Sequence, residues 1–154
     1  MDALTAALTW LSRRELSTAQ LRERLSRRGL PHDEIERVIA RLTADRTLDD
    51  ERVAMAAART EATVRRRGRR RVMQRLRAIG IAHDLAERTV STVFGDLDEP
   101  ALLDQAIARS LRGTSPAALD RTAAARVVRR LVAQGFDAGA VYARLRRRGP
   151  DADE

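Results

Sequence analysis

The chain has 154 residues, a formal net charge of +8, a pI near 11.4 and no cysteine. This length suits one compact domain or a short array of repeats and excludes two large enzyme domains. The missing cysteines exclude a disulfide framework and a thiolate metal site. The basic charge favours an anionic partner. No apolar run approaches the ~20 residues of a membrane span, so we expect a cytoplasmic protein without a membrane segment.

Helical periodicity predicts nine helices in chain order and no strands. Their apolar residues fall within 4–11, 21–30, 35–42, 53–64, 72–81, 85–93, 102–111, 127–136 and 141–145. Start signals agree with these positions. Ser17 and Gln20 have the spacing of a capping box, and Asp49 and Asp98 place carboxylates at the positive ends of two later helices.

One pattern occurs three times: an apolar residue, three residues, leucine, three residues, glycine and a second apolar residue. The copies are Leu21–Leu30, Val72–Ile81 and Val127–Phe136. A glycine directly after the last periodic residue is typical of a helix that ends in a left-handed turn, with the next apolar residue folding back on the last turn. The three copies therefore indicate a repeat.

The predicted fold is all-α, with tandem three-helix repeats in three units that stack into an elongated, curved rod. We place the units at residues 1–48, 49–95 and 96–148, followed by a tail at 149–154. A unit of this size buries too small a core to be stable alone, so we expect each unit to contact its neighbour.

Residues 64–81, VRRRGRRRVMQRLRAIGI, hold a run of arginines with no acidic residue among them. The candidate partner-binding or DNA-binding residues are Arg65, Arg66, Arg67, Arg69, Arg70, Arg71, Arg75 and Arg77. All 30 basic residues of the chain are arginine, so residue type alone marks no site, and the run also fits a solvated helical corner. The uncompensated charge favours a face for phosphate or carboxylate groups.

Three segments resemble the RecX family of bacterial regulatory proteins: ALTWLSRRELSTAQLRERLSRRGL near the N-terminus, LDDERVA from Leu48, and GRRRVMQRLRAIGI from Gly68. The resemblance extends over residues 4 to 148. It implies a tandem three-helix-repeat protein that lies in the groove of the RecA filament on single-stranded DNA. Such a protein would inhibit recombinase, ATPase and co-protease activity, and so modulate DNA repair and the SOS response.

The residues themselves leave alternatives open. Short helices with glycine turns also permit a helix-turn-helix protein that binds single-stranded or duplex DNA directly, although no single recognition helix stands out. A helical enzyme or a scaffold is a third possibility. We identify no catalytic residues, cofactor site or metal site, because His32 and His83 recur at helix starts and Asp49 and Asp50 fit helix capping. A monomer is expected.

Overall fold

The computed structural model describes residues 1–147, so Arg148 and the predicted tail at 149–154 lie outside the described residues. Within that range it has nine α-helices and no strand. They are α1 (Ala3–Leu11), α2 (Thr18–Arg27), α3 (His32–Ala44), α4 (Asp50–Arg59), α5 (Arg69–Ala78), α6 (His83–Gly95), α7 (Glu99–Leu111), α8 (Arg121–Ala133) and α9 (Ala138–Arg147). The predicted all-α class is confirmed.

The middle helices α2, α5 and α8 all end in the same way. Gly29, Gly80 and Gly135 have φ angles of 78°, 82° and 100°. The residue after each glycine donates its backbone N–H to the carbonyl of the leucine five positions earlier, at 3.4, 3.0 and 3.1 Å. This is the Schellman arrangement, and it confirms the helix end that the repeated pattern predicts.

The predicted helix starts are also confirmed. Ser17 and Gln20 form a complete capping box at α2, and Asp49 and Asp98 accept bonds from the first-turn backbone of α4 and α7. Each cap satisfies a backbone donor that a helix start leaves free. The chain therefore specifies the ends of its helices locally.

Buried apolar side chains form three separate clusters, one for each group of three helices. We call α1–α3 the first unit, α4–α6 the second and α7–α9 the third. The clusters span Ala3 to Leu48, Val53 to Phe94 and Leu103 to Leu145. Each buried core is made within one unit, and the half-buried Leu102 of α7 also packs against the core of the second unit. Other links between units are hydrogen bonds and ion pairs.

The first junction joins the first and second units through side chains. The Ser17 hydroxyl donates a short hydrogen bond to the Ile79 carbonyl, and the Asp50 carboxylate accepts one from the Thr18 N–H at 2.7 Å. Arg52 pairs with Glu15 at 2.8 Å. These bonds satisfy the carbonyl at the end of α5 and two donors of the first and second units.

The second junction joins the second and third units through backbone hydrogen bonds and through an ion pair between Arg69 and Glu99. The N–H of Gly68 donates to the carbonyl of Gln134 at 2.8 Å, and the N–H of Arg70 donates to that of Gly135 at 3.3 Å. A methyl group on Gly68 would overlap the carbonyl of Gly135. Within residues 1–147 no hydrogen bond or ion pair joins the first unit to the third, which agrees with a rod of units in chain order.

The periodicity predicts one helix across Val53–Val64, but the structure divides it. Helix α4 ends at Arg59, and a π-helical turn follows at Thr60–Val64. In this turn the N–H of Arg65 donates to the carbonyl of Thr60 at 3.0 Å. Glu61 and Ala62 are both buried there, a feature that the apolar spacing does not reveal because one of the two is charged.

Candidate polyanion-binding site

Helix α5 buries one side and exposes its arginines. Val72 and Leu76 are fully buried and Ile79 nearly so, with Met73 packed beside them, as the helical spacing predicts. The arginines of this helix point away from that core and are exposed. They are Arg69, Arg70, Arg71, Arg75 and Arg77.

Acidic side chains outside the run compensate three of the eight candidate arginines. The buried Glu61 lies 3.0 Å from Arg65 and 4.0 Å from Arg75. Glu99 lies 2.5 Å from Arg69, and its hydrogen bond raises the pKa of that guanidinium. Since the sequence shows only that no acid lies inside the run, these pairs are a structural finding.

The other five candidates form no ion pair within residues 1–147. They are Arg66, Arg67, Arg70, Arg71 and Arg77. Arg67 is half-buried and the other four are exposed. Guanidinium groups in this state can form bidentate hydrogen bonds to phosphate or carboxylate oxygens without first breaking an internal pair.

Three of the candidates meet three further arginines at the second junction. We call this feature the arginine cleft; its volume is about 270 Å³. Its lining residues are Arg65, Arg66, Arg67, Ala106, Arg109, Ser110, Arg112, Arg130 and Gln134. No carboxylate belongs to this lining.

Sequence reasoning missed Arg109, Arg112 and Arg130. The first two lie at the end of α7 and the third in the last turn of α8. They lie at least 28 positions beyond the end of the arginine run at residue 81, and single arginines in a chain this rich in arginine give no reason to be singled out. Their only local signal is that basic residues suit the negative ends of helices.

The remaining candidates face elsewhere. Arg69 and Arg70 lie at the rim of a second cleft of about 500 Å³ at the same junction, where Phe94, Leu102 and Phe136 give an apolar lining. Arg75 lies beside Glu61 in a third cleft at the first junction. The eight candidates therefore do not share one surface.

The described residues contain neither a metal-binding cluster nor a membrane-spanning helix. Within 1–147 no group of three or more histidine, cysteine or acidic residues is placed to hold a metal ion. His32 and His83 are the first residues of α3 and α6, as predicted. None of the described helices is both long and apolar enough to cross a bilayer.

Together, the stacked units and the arginine cleft define a helical repeat protein with a strongly cationic surface. Residues 3–42 match the family described as RecX, first three-helix domain. The chain is 30% identical over 141 residues to the regulatory protein RecX of Syntrophotalea carbinolica, with 92% of each chain covered. It is 29% identical over 138 residues to that of Trichlorobacter lovleyi, with 88% of each covered.

The fold agrees with these relatives. The crystal structure of RecX from Lactobacillus salivarius superimposes with a TM-score of 0.77 at 17% identity, over 92% of this chain and 90% of that one. The chain belongs to the RecX family of regulatory proteins.

Proposed function

We propose that this protein is a non-enzymatic regulator that binds the RecA filament on single-stranded DNA and inhibits recombinase, ATPase and co-protease activity. Family membership supports the regulatory role. The observation that supports an anionic partner is that five of the eight candidate arginines have no acidic partner within the described residues. In the cell this activity would modulate DNA repair and the SOS response from the cytoplasm.

The linear order of the units supports a long binding surface. Residues 1–48, 49–95 and 96–148 serve, in this proposal, as three successive units of one monomer, and successive units present surfaces along the rod. A recombinase filament assembled on single-stranded DNA carries negative charge that repeats along its length. Phosphate contacts by arginine would position the protein without reading base sequence.

A direct DNA-binding protein is the second candidate function. It is favoured by the same exposed arginines, which would bind naked strands equally well. The two candidates differ in what the protein does to the recombinase. A filament regulator lowers ATP hydrolysis, whereas a protein that only binds DNA leaves hydrolysis unchanged at saturating DNA.

The test compares binding to recombinase-coated single strands, naked single strands and naked duplex at two salt concentrations, with ATP hydrolysis measured in parallel. We expect tighter binding to coated strands and inhibited hydrolysis. Equal affinity for all three DNA forms, together with normal ATP hydrolysis, would reject the regulator proposal in favour of direct DNA binding.

A triple variant tests the arginines of α5. Arg70→Ala, Arg71→Ala and Arg77→Ala together should weaken binding and lower the salt slope by about 2, since each single-strand phosphate contact contributes about 0.7. The matched control removes the same charge from α8, as Arg121→Ala, Arg126→Ala and Arg129→Ala, which are exposed and lie outside the arginine cleft. Equal effects of the two triple variants would show that the arginines of α5 act only through the net charge of the protein and not through specific phosphate contacts.

A further inference from the structure

The arginine cleft brings together more positive charge than its surroundings compensate. Six guanidinium groups line it, and Glu61 outside the lining pairs with one of them, Arg65. The cleft also receives the C-terminal ends of the π-helical turn, α7 and α8. Three helix ends contribute roughly half a negative charge each, so helix dipoles and Glu61 together leave more than half of the positive charge uncompensated.

Two arginines of the cleft have a left-handed backbone conformation, which residues other than glycine rarely adopt. Arg66 and Arg112 have φ angles of 58° and 49°, in the left-handed region that favours glycine. Arg112 also closes α7, a position where glycine is the usual residue. Glycine at either position would remove the guanidinium group and also relieve the backbone strain, so a loss of binding there would come from the side chain.

One further arginine in the described residues is left-handed, Arg46, with a φ angle of 59°. Arg46 is exposed in the first unit, and it lies outside the arginine cleft. It therefore shares the backbone strain of Arg66 and Arg112 without their position.

The second junction holds the two halves of the cleft in place. Gly68, the residue after Arg67, donates to the carbonyl of Gln134, which itself lines the cleft. On the other side, Arg130 donates to the carbonyl and hydroxyl oxygens of Ser110 at 3.3 and 3.1 Å. Because backbone bonds fix the spacing of the two units, the chain positions that carry these arginines are set before any ligand arrives.

We propose that the arginine cleft is a binding site for a chain of linked phosphate groups, bridging the second and third units. Guanidinium groups from three segments can surround successive phosphates and form bidentate hydrogen bonds to their oxygens. A linked chain fits better than a single phosphate because six separated cations exceed what one dianion compensates. Two sources share this chemistry, a nucleic acid backbone and a free polyphosphate or nucleotide. The inference rests on the proposed function only in its nucleic acid source.

The experiment measures binding of the full chain to inorganic tripolyphosphate, orthophosphate and a single-stranded oligonucleotide by calorimetry, beside thermal unfolding. We expect tripolyphosphate and oligonucleotide to bind and orthophosphate to bind much more weakly. Arg66→Gly and Arg112→Gly should each lower the affinity about tenfold, the effect of one charged hydrogen-bonding group. Both should unfold at the wild-type temperature or above, since glycine relieves the left-handed strain.

Arg46→Gly is the matched control and should retain wild-type affinity. Arg109→Ala, on the regular part of α7, provides a second variant if Arg112→Gly lowers the unfolding temperature. Wild-type affinity in Arg66→Gly and Arg109→Ala, or equal losses in Arg46→Gly, would overturn the site, as would a wild-type chain that binds neither tripolyphosphate nor oligonucleotide.

The relative affinities of the two phosphate chains, measured beside recombinase hydrolysis, separate the cleft from the proposed function. Tighter binding of oligonucleotide than of tripolyphosphate identifies the nucleic acid backbone as the source, and the reverse order identifies a free polyphosphate; both sustain the site. A wild-type chain that binds phosphate chains but leaves recombinase hydrolysis unchanged would refute the filament regulator and leave the cleft intact.

Discussion

The two junctions of this protein join similar units by different means. The first uses side chains, with Ser17, Asp50 and the pair of Arg52 and Glu15 making the bonds. The second uses backbone groups of Gly68 and Arg70 with the chain around Gly135, together with one ion pair between Arg69 and Glu99. Side-chain bonds depend on residue identity at several positions, whereas backbone bonds require only that the chains approach closely. The backbone part of the second junction therefore tolerates many substitutions but not an added methyl group at Gly68 or Gly135.

The largest effect is expected from Gly68→Ala. The backbone of Gly68 is extended, so alanine itself is acceptable there, but its methyl group would overlap the Gly135 carbonyl. We expect a loss of about 2 kcal/mol in the free energy of unfolding, typical of overpacking, and weaker tripolyphosphate binding as the cleft widens. Gly95→Ala, with open space around it, is the control and should be neutral or stabilising. A stable Gly68→Ala variant would show that the second junction can separate without cost.

Ser17→Ala should have the next largest effect and break the first junction. It removes the cap of α2 and leaves the Ile79 carbonyl without its buried donor. We expect a loss of about 1.5 kcal/mol in urea unfolding, with phosphate binding unchanged because the cleft lies at the other junction. Ser115→Ala, which removes an exposed cap of a single short turn, is the comparison and should cost less.

Glu61→Gln should change both stability and binding. The buried carboxylate holds Arg65, a residue of the arginine cleft, and lies near Arg75 in the cleft at the first junction. Glutamine keeps the shape and removes the charge, so we expect a loss of about 1 kcal/mol in unfolding and tighter tripolyphosphate binding by a few-fold. Calorimetry at low salt would measure this gain. A weaker affinity would mean that Glu61 orients Arg65 rather than competing for it.

Glu15→Gln should have the smallest effect. It removes the partner of Arg52 at the first junction, but both side chains are about half exposed. Exposed pairs contribute little and are screened by salt. Any loss in the unfolding temperature should disappear in 1 M salt, and a loss that persists there would indicate a structural role for Glu15 beyond charge.

The sequence predicts most of the fold because the signals for it are local. Helix ends depend on a few adjacent residues, such as Ser17 with Gln20 or Leu76 with Gly80 and Ile81, and these signals agree with the structure. The candidate site is harder to predict from the sequence. Glu61 and Arg65 have the i,i+4 spacing that a helix brings together, but the burial of Glu61 depends on a π-helical turn. The approach of Arg112 to Arg66 depends on how two units meet, which no local pattern specifies.

Three separate cores also have a consequence for folding. Because each core joins residues from a single unit, contacts form between positions close in the chain, which favours rapid folding from any of several nuclei. A chain emerging from the ribosome can complete its first core before the last residues are made. Denaturant should then melt the molecule in stages, with the order of melting set by how strongly each unit is held by its neighbour.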